Sequence, residues 1–388
     1  MDSPRVIMHL DLDAFFCAVE EIKDPGLRGK AFAVGGSPGG RGVVTSCSYP
    51  ARKMGVRSAM PSSQALLHCP NLIFVSRNHR DYGKYSNKVM ERLARLTDQV
   101  EQISIDEAFI DITQLGAPRT VALQLQRAIL EEIGLPSSIG IASNKLVAKI
   151  ATDVGKKGAR GDTYPNAITV IPAGEERSFL APLPVEMLWG VGPKTRERLE
   201  RFDIYTIGDL AEFPDIELSK KFGKHGYDLS RRAKGIDKRG IVIERGVKSV
   251  SNERTFREDL GRKSDIKKYL DKLAEKVSKR LQKKNLHGKT VQIKIRWSDF
   301  TTLTRQVTLP KSTNDRIVIQ ESAAGLLDQV WEEGRLVRLI GVGVSKLDSE
   351  AHQLGLWDTN YEKDLQLKET IKDLKGKYGE NVISRGIK

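Results

Sequence analysis

The sequence predicts an α+β protein made of several domains. Its 388 residues exceed what one hydrophobic core usually organises, and 39% of them are hydrophobic, which is enough to give each domain its own core. Strand and helix patterns alternate through about the first 170 residues, and only helical patterns follow as far as residue 240. A βαββαβ order then occupies residues 249–348. These changes of pattern indicate three folded regions.

The first predicted strand spans residues 6–13 and ends in two acids. Alternation places Leu10 and Leu12 on one face of this strand and Asp11 and Asp13 on the other. The run AFFCAVEEI that follows is helical, and Asp13 is well placed to cap this helix by accepting hydrogen bonds from its free amides. We therefore expect Asp13 to have a structural role.

Further strands and helices complete the first region around one long insertion, residues 16–77. Apolar spacing predicts helices at residues 82–96 and 121–133, and SSIGIAS predicts a strand before a helix that Ser143 can cap. The segment VEQISIDEAFIDI predicts a hairpin that carries Asp106 and Glu107. Strict alternation would send these adjacent acids to opposite faces, so both can reach one site only if the hairpin bends there.

The second and third regions differ in their patterns. Residues 172–240 combine short helices with Gly and Pro, including the turn WGVGP at residues 189–193, and residues 241–248 suit an extended linker. In the third region the segment TVQIKIRW predicts a strand with one apolar and one cationic face. The apolar residues are Val291, Ile293, Ile295 and Trp297, and the residues between them are Gln292, Lys294 and Arg296.

The charge of the chain favours a polyanionic partner. The net charge is +14 and the sequence pI is about 9.5, and residues 242–348 contain 23 Lys and Arg against 14 Asp and Glu. Such an excess favours nucleic acid, which should lie across the cationic strand face of Lys294 and Arg296. The outer helix face with Lys272, Lys276, Lys279 and Lys283 is the weaker indication, because lysines commonly solvate such a face.

Other classes are disfavoured by the sequence. No apolar run of membrane-spanning length and no signal-peptide pattern is present, so we expect a cytosolic protein without a membrane partner. The three cysteines, Cys17, Cys47 and Cys69, stand apart without a paired-thiol motif, which disfavours a disulfide framework or a zinc site. The six histidines are scattered, and none is predicted to be a metal ligand.

Three acids are candidates for binding divalent cations. Transfer of a phosphoryl group from a triphosphate needs two such cations, and hard cations require clustered carboxylates, which Asp11, Asp106 and Glu107 could supply. A DxD or DE pair on its own is more often a solvated turn. The residue pattern alone therefore leaves the metal site open.

Four ordered blocks resemble the signature segments of the Y-family translesion DNA polymerases, especially their DinB class. The blocks are DLDAFFCAVE (11–20), SYPARKMGV (48–56), SIDEAFID (104–111) and GIASNKLVAKIATD (140–153). The resemblance covers essentially the whole chain and implies a right-hand polymerase. The implied domains are a ferredoxin-like palm (1–15 and 78–171), small fingers (16–77), a helical thumb with a helix-hairpin-helix (172–240), a linker (241–248), a βαββαβ little finger (249–348) and a tail (349–388).

The resemblance also implies the roles of the metal-site residues. Asp11 and Asp106 would bridge both cations, Glu107 would bind the ion on the catalytic side, and the backbone carbonyl of Leu12 would bind the ion on the nucleotide side. The implied cofactor is Mg²⁺, two ions per active site, for which Mn²⁺ can substitute.

Residues that bind the nucleotide follow from the same resemblance. Tyr49 and Arg52 match residues that grip the triphosphate, and a planar guanidinium suits that work. Phe16 falls at the steric gate, where its ring would leave no room for a 2′-hydroxyl, and Phe15 is the next candidate.

The segment after the last block departs from the family pattern. The chain has GKKGARGDTYPNA where the family usually has a short Lys-Pro-Asp-Gly turn. Lys156 is the predicted triphosphate-binding lysine and Lys157 is an alternative. An alignment backwards from PNA would leave no lysine in this role.

Two further motifs indicate macromolecular partners. The glycines of WGVGP, Gly190 and Gly192, match a helix-hairpin-helix whose amides contact a DNA phosphate. The tail segment QLGLW resembles the motif that binds the bacterial sliding clamp, with the anchors Gln353, Leu354, Leu356 and Trp357. The edge of a strand or helix is the alternative interpretation of this segment.

The predicted reaction is template-directed attack of a primer 3′-hydroxyl on the α-phosphate of a dNTP. We expect a monomer that acts in the cytoplasm with the nucleoid, with the low fidelity that the resemblance implies. A nucleotidyl cyclase is the second hypothesis, disfavoured because no GGDEF-like hairpin is present. A non-catalytic DNA-binding subunit is the third, disfavoured because Asp11, Asp106 and Glu107 are all present.

Overall fold

A computed structural model describes residues 5–158 and 163–349, together with Thr370 and Leu374. The chain divides into two compact units, Met1–Arg245 and Gly246–Lys388. Each unit contains β-sheet packed against helices, so the predicted α+β class is confirmed. Within the described ranges, no helix is long and apolar enough to cross a membrane.

The first unit alternates strands and helices before it becomes helical. In chain order its first elements are β1 (Ile7–Leu12), α1 (Phe15–Lys23), β2 (Phe32–Gly35), β3 (Val44–Cys47), α2 (Tyr49–Lys53), α3 (Ser62–His68), β4 (Ile73–Ser76), α4 (His79–Ala94), β5 (Val100–Gln102), β6 (Glu107–Asp111), α5 (Pro118–Ile133), β7 (Ser137–Ala142), α6 (Lys145–Gly158) and β8 (Ile168–Val170). Residues 171–240, all of them described, then form the helices α7 (Glu176–Leu180), α8 (Pro193–Glu200), α9 (Ile207–Glu212), α10 (Asp215–Phe222) and α11 (Lys224–Ala233).

Strand β1 lies at the centre of a five-stranded sheet of order β5-β6-β1-β7-β8. It pairs antiparallel with β6 and β7, and the register places Asp11 opposite Glu107. Met8, Leu10 and Leu12 belong to one hydrophobic core, whereas Ile7 belongs to a second core that contains the apolar residues of α6. Because side chains alternate along a strand, Asp11 lies on the α6 side of the sheet, as the predicted alternation requires.

A second sheet of three strands lies within the predicted insertion. Its order is β3-β2-β4, with β2 antiparallel to β3 and parallel to β4. A small core that includes Cys47 and Cys69 packs with it. All three cysteines are buried free thiols, as expected from their spacing.

Both predicted helix caps were wrong. The residue before α1 is Ala14, which makes no capping bond, and the buried Asp13 carboxylate instead accepts hydrogen bonds from Ser138 Oγ and the Asn166 backbone amide. The cap of α6 is Asn144, whose Oδ1 accepts from the Val147 amide at 3.1 Å, while the Ser143 hydroxyl donates to Glu176. In each case a partner distant in sequence takes the side chain that local pattern had assigned to the helix.

The second unit has the predicted βαββαβ order. Its elements are β9 (Ser249–Leu260), α12 (Lys263–Lys283), β10 (Leu286–Trp297), β11 (Thr302–Thr313), α13 (Arg316–Val330) and β12 (Val337–Ser349). The strands form an antiparallel sheet of order β11-β10-β12-β9, and both helices share a core with it. The predicted alternation of β10 is confirmed, because its apolar side chains from Val291 to Trp297 are fully buried and the residues between them are not.

One buried carboxylate anchors the end of the first unit. Glu101 in β5 is fully buried and accepts hydrogen bonds from Lys145 Nζ at 2.8 Å and from the Val242 amide at 2.9 Å, and it also pairs with Arg245. Lys145 Nζ donates in addition to the Gly240 carbonyl at 2.7 Å. The predicted linker, residues 241–248, is described throughout and contains no helix or strand, but its first residues are held on the sheet by this carboxylate.

Replacing Glu101 with Ala should lower the free energy of unfolding by about 3–5 kcal/mol, because the buried Lys145 ammonium would lose its counter-charge. Chemical denaturation of the full chain would measure the change. Glu91→Ala, at an exposed position of α4, is the matched control and should change stability by no more than about 0.5 kcal/mol. Equal stabilities of the two variants would show that the Glu101 anchor contributes nothing.

Candidate active site

The three predicted catalytic acids lie at one end of the β1–β6 pair. Asp11 is the next-to-last residue of β1 and stands opposite Glu107, the first residue of β6. Asp106 lies in the bend immediately before β6. The Leu12 amide donates to the Asp106 carbonyl at 3.0 Å, which ties this bend to the end of β1.

Ser104 builds the bend on which the site depends. Its hydroxyl oxygen accepts hydrogen bonds from the Glu107 amide at 2.9 Å and the Asp106 amide at 3.2 Å, and its hydroxyl donates to Asp106 Oδ1 at 2.6 Å. Asp106 is therefore outside the strand, and strand alternation does not separate it from Glu107. The bend, whose presence the sequence alone could not decide, is present in the structure.

Helix α6 presents two lysines to these acids. Lys149 Nζ lies 2.9 Å from Glu107 Oε1, and Lys156 pairs with Asp11 and lies 3.1 Å from Asp13 Oδ1. Seven residues make about two helical turns, so both lysines lie on one face of α6. In the part of the chain that the structure describes, no group of three or more His, Cys, Asp or Glu side chains is gathered as a metal site. Ammonium groups balance the carboxylate charges here.

Asp11 and Glu107 have opposite pKa shifts. Burial raises the pKa of Asp11 to about 7 against the opposing effect of Lys156, and the charges of Glu107 and Asp106 raise it further. Burial also disfavours ionised Glu107, but His9 and Lys149 beside its carboxylate lower the pKa of Glu107 overall. Asp11 therefore takes up a proton more readily than Glu107.

His9 is a buried neighbour of Glu107. Burial lowers the pKa of its imidazole, whose Nδ1 lies 2.9 Å from Thr152 Oγ1. Its Nε2 lies 3.9 Å from Glu107 Oε2, which is too long for a hydrogen bond. These contacts support a structural role for His9 within β1.

A cavity of about 270 Å³ opens beside the acids. Seven of the predicted site residues line it: Asp11, Leu12, Phe15, Phe16, Arg52, Asp106 and Lys156. Glu107 and Tyr49 are not among the lining residues. Asp153, which also lines the cavity, and Lys149 were not predicted as site residues, although both lie in the block GIASNKLVAKIATD.

Phe15 and Phe16 differ in exposure. Phe15 is 2% exposed and belongs to the core, whereas the partly exposed Phe16 ring stacks on Tyr82 with 4.3 Å between ring centroids. Both residues line the cavity, but only Phe16 offers an accessible ring. This exposure favours Phe16 over Phe15 as the predicted gate.

The nucleotide-binding candidates lie on α2 and α6. Tyr49 is the first residue of α2, and the Arg52 guanidinium carbon lies 4.7 Å from the centroid of its ring. Arg52 Nε also donates to the Cys47 carbonyl at 3.1 Å. On α6, Lys156 lines the cavity and Lys157 is exposed. This difference favours Lys156 over Lys157 as the predicted triphosphate-binding lysine.

The predicted DNA contacts belong to other elements of the fold. Gly190 has a φ of 106°, which favours glycine, and Gly192 is the residue before α8. In the second unit, Lys294 Nζ pairs with Glu253 at 2.9 Å, and Arg296 Nε donates to Thr302 Oγ1 at 2.8 Å. The predicted clamp-binding residues Gln353, Leu354, Leu356 and Trp357 lie outside the described residues.

Comparisons with known proteins agree with this architecture. The impB/mucB/samB family model matches residues 10–153, its C-terminal domain model matches residues 247–356, and the IMS family HHH motif matches residues 173–204. A DNA polymerase IV of Listeria innocua is 41% identical over 351 residues, which are 89% of this chain and 96% of the relative. A DNA polymerase IV of Streptococcus pyogenes is 40% identical over 362 residues, which are 92% of this chain and 97% of the relative.

A solved structure gives the same result for the fold. A Y-family DNA polymerase chimera has a TM-score of 0.78 at 27% sequence identity, and the match covers 89% of this chain and 99% of the chimera. The chain belongs to the impB/mucB/samB family, the Y-family of DNA polymerases. The predicted right-hand polymerase fold is confirmed.

Proposed function

We propose that this chain is a DNA-templated DNA polymerase of the error-prone translesion type. It adds a deoxynucleoside monophosphate to a primer 3′-hydroxyl and releases pyrophosphate. The observation that carries the proposal is the placement of Asp11, Asp106 and Glu107 at one strand end beside the Phe16 and Lys156 cavity. Relatives at about 40% identity are DNA polymerases IV, which supports template–primer DNA and dNTPs as substrates.

The donor set fits hard divalent cations. The three acids offer carboxylate oxygens, the ligands that Mg²⁺ prefers, at one end of the β1–β6 pair. We assign Asp11 and Asp106 to both of two Mg²⁺ ions, Glu107 to the catalytic side and the Leu12 carbonyl to the nucleotide side, with Mn²⁺ able to substitute. When bound, the cations would activate the attacking hydroxyl and neutralise the leaving phosphates.

The chain's own side chains hold the nucleotide. The planar guanidinium of Arg52 can donate two hydrogen bonds to oxygens of the triphosphate. Tyr49, which lies beside Arg52, contacts the same triphosphate. Lys156, whose ammonium pairs with Asp11 at the cavity, can also pair with a phosphate. The ring of Phe16 lies under the sugar, where a 2′-hydroxyl would meet it.

The DNA duplex lies on glycine amides of the thumb and on the cationic face of the little finger. Gly190 and Gly192 precede α8, so their amides can meet a phosphate. Lys294 and Arg296 are on the sheet face away from the buried side chains of β10. These contacts carry no sequence information, as a polymerase that copies any template requires.

We retain the predicted domain boundaries, and we propose a monomer that acts on the nucleoid in the cytoplasm.

Primer extension by the purified chain tests the proposal. With a primed template, dNTPs and Mg²⁺, the primer should lengthen on an undamaged template and across a damaged template base. Conversion of a nucleoside triphosphate into a cyclic nucleotide without primer extension would favour a nucleotidyl cyclase. DNA binding without either reaction would favour a non-catalytic DNA-binding subunit.

The tail motif gives a separate prediction. We expect Leu356→Ala combined with Trp357→Ala to abolish stimulation of synthesis by a bacterial sliding clamp, because the apolar anchors for the clamp groove are lost. Distributive synthesis on short primers should be unchanged. Titration calorimetry with the clamp measures the loss of binding, and wild-type affinity in the double variant would exclude the motif. Loss of basal synthesis would instead place both residues in a folded core.

A further inference from the structure

The segment between α6 and β8 is where this chain departs from the usual family pattern. Its described part, residues 163–167, brings Tyr164 against Tyr49, the first residue of α2. The two rings meet edge to face, with 5.5 Å between their centroids and 75° between their planes. Aromatic pairs favour this arrangement. The four residues of a Lys-Pro-Asp-Gly turn include no aromatic side chain that could form such a pair with Tyr49.

The position of Tyr164 is itself fixed. Its hydroxyl donates to Glu21 Oε2 on α1 at 2.8 Å. Two residues later the Asn166 amide donates to the buried Asp13 Oδ2 at 3.1 Å, and the Ala167 amide donates to Ser138 Oγ at 3.1 Å. Ser138 Oγ in turn donates to the same Asp13 carboxylate. The segment is thus hydrogen-bonded both to Glu21 on α1 and to the Asp13 carboxylate, which also pairs with Lys156.

Tyr49 has a second partner of a different kind. The Arg52 guanidinium lies over its ring, with the guanidinium carbon 4.7 Å from the ring centroid. A change in the orientation of Tyr49 would therefore disturb Arg52 as well. Neither Tyr164 nor Tyr49 lines the cavity with Asp11 and Asp106, but Arg52, which lies over the Tyr49 ring, does.

We propose that Tyr164 is a positioning residue that holds Tyr49 in the orientation that binds the triphosphate. This inference rests on the proposed function, in which Tyr49 and Arg52 grip the nucleotide. The Glu21 carboxylate orients Tyr164 by accepting a hydrogen bond from the Tyr164 hydroxyl. Asp13 and Ser138 fix the backbone that follows Tyr164. The contribution belongs to nucleotide binding and not to the chemical step.

Kinetics of single-nucleotide insertion at saturating primer–template tests the inference. Tyr164→Leu should raise the KM for dNTP by about 2- to 12-fold and leave kcat within about 2-fold, the loss expected for one edge-to-face pair. Tyr164→Phe keeps the ring but loses the bond to Glu21, so its KM should lie between those of wild type and Tyr164→Leu. Tyr205 is an exposed tyrosine in the helical region of residues 171–240. Tyr205→Leu is therefore the matched control and should not change the KM for dNTP.

The double variant with Tyr49→Ala separates the inference from the proposed function. If Tyr49→Ala raises the KM and Tyr164→Leu adds nothing in that background, Tyr164 acts through Tyr49. Additive effects, or a wild-type KM in Tyr164→Leu, would overturn the inference while the role of Tyr49 stands. A wild-type KM in Tyr49→Ala would overturn the nucleotide role of Tyr49 and the inference with it. If Tyr164→Leu does not fold, an unchanged KM in Tyr164→Phe decides against the inference.

Discussion

Asp106→Ala should abolish primer extension while leaving the binding of template–primer DNA nearly intact. The change removes a carboxylate that the Ser104 hydroxyl holds at the cavity that Asp11 also lines, whereas the proposed phosphate contacts of Lys294 and Arg296 belong to the other unit. A gel assay of extension and fluorescence anisotropy of a labelled primer–template measure the two properties separately.

Asp98→Ala provides the control for this result. Asp98 is an exposed acid before β5, so its loss should leave both properties unchanged. Extension by Asp106→Ala at a rate comparable to wild type would show that the metal assignment is wrong. Loss of DNA binding together with extension would mean that the bend, and not the carboxylate alone, had been destroyed.

Phe16→Ala should allow ribonucleotides into the product. The Phe16 ring lines the cavity and stacks on Tyr82, and removal of the Phe16 ring opens space for a 2′-hydroxyl. We expect the preference for dNTPs over ribonucleotides, measured as the ratio of kcat/KM values, to fall by roughly 100-fold, the discrimination that a small steric difference can supply.

Sugar discrimination that stays at the wild-type level would place the gate elsewhere. Phe15 also lines the cavity and is the next candidate, although its ring belongs to the core. Because Phe15 is buried, Phe15→Ala should chiefly lower stability, which thermal unfolding of both variants would show.

The parts of the fold that sequence predicted best are those in which burial alternates. Strand β10 is one example, because its two faces meet different surroundings and each side chain therefore follows a period of two. Strand β1 was harder to predict, since both of its faces are covered by hydrophobic cores and, within the strand, only Asp11 is partly exposed.

The site could be predicted only in outline. Sequence supplied the acids, but the bend that keeps Asp106 and Glu107 together depends on the Ser104 hydroxyl, which no periodicity describes. Asp13 and Ser143 were assigned to caps because local pattern cannot show partners as distant as Ser138 and Glu176. The family likeness correctly indicated the class of protein, which the comparisons confirm.

The most direct test of the metal site is the binding of Mn²⁺ followed by electron paramagnetic resonance. The chain would be held with a dideoxy-terminated primer–template and the next dNTP, so that no bond can form. Wild type should bind two Mn²⁺ per active site, and Asp11→Ala and Asp106→Ala should each lose at least one of them. Equal Mn²⁺ binding by wild type and both variants would contradict the assignment of these carboxylates to catalysis.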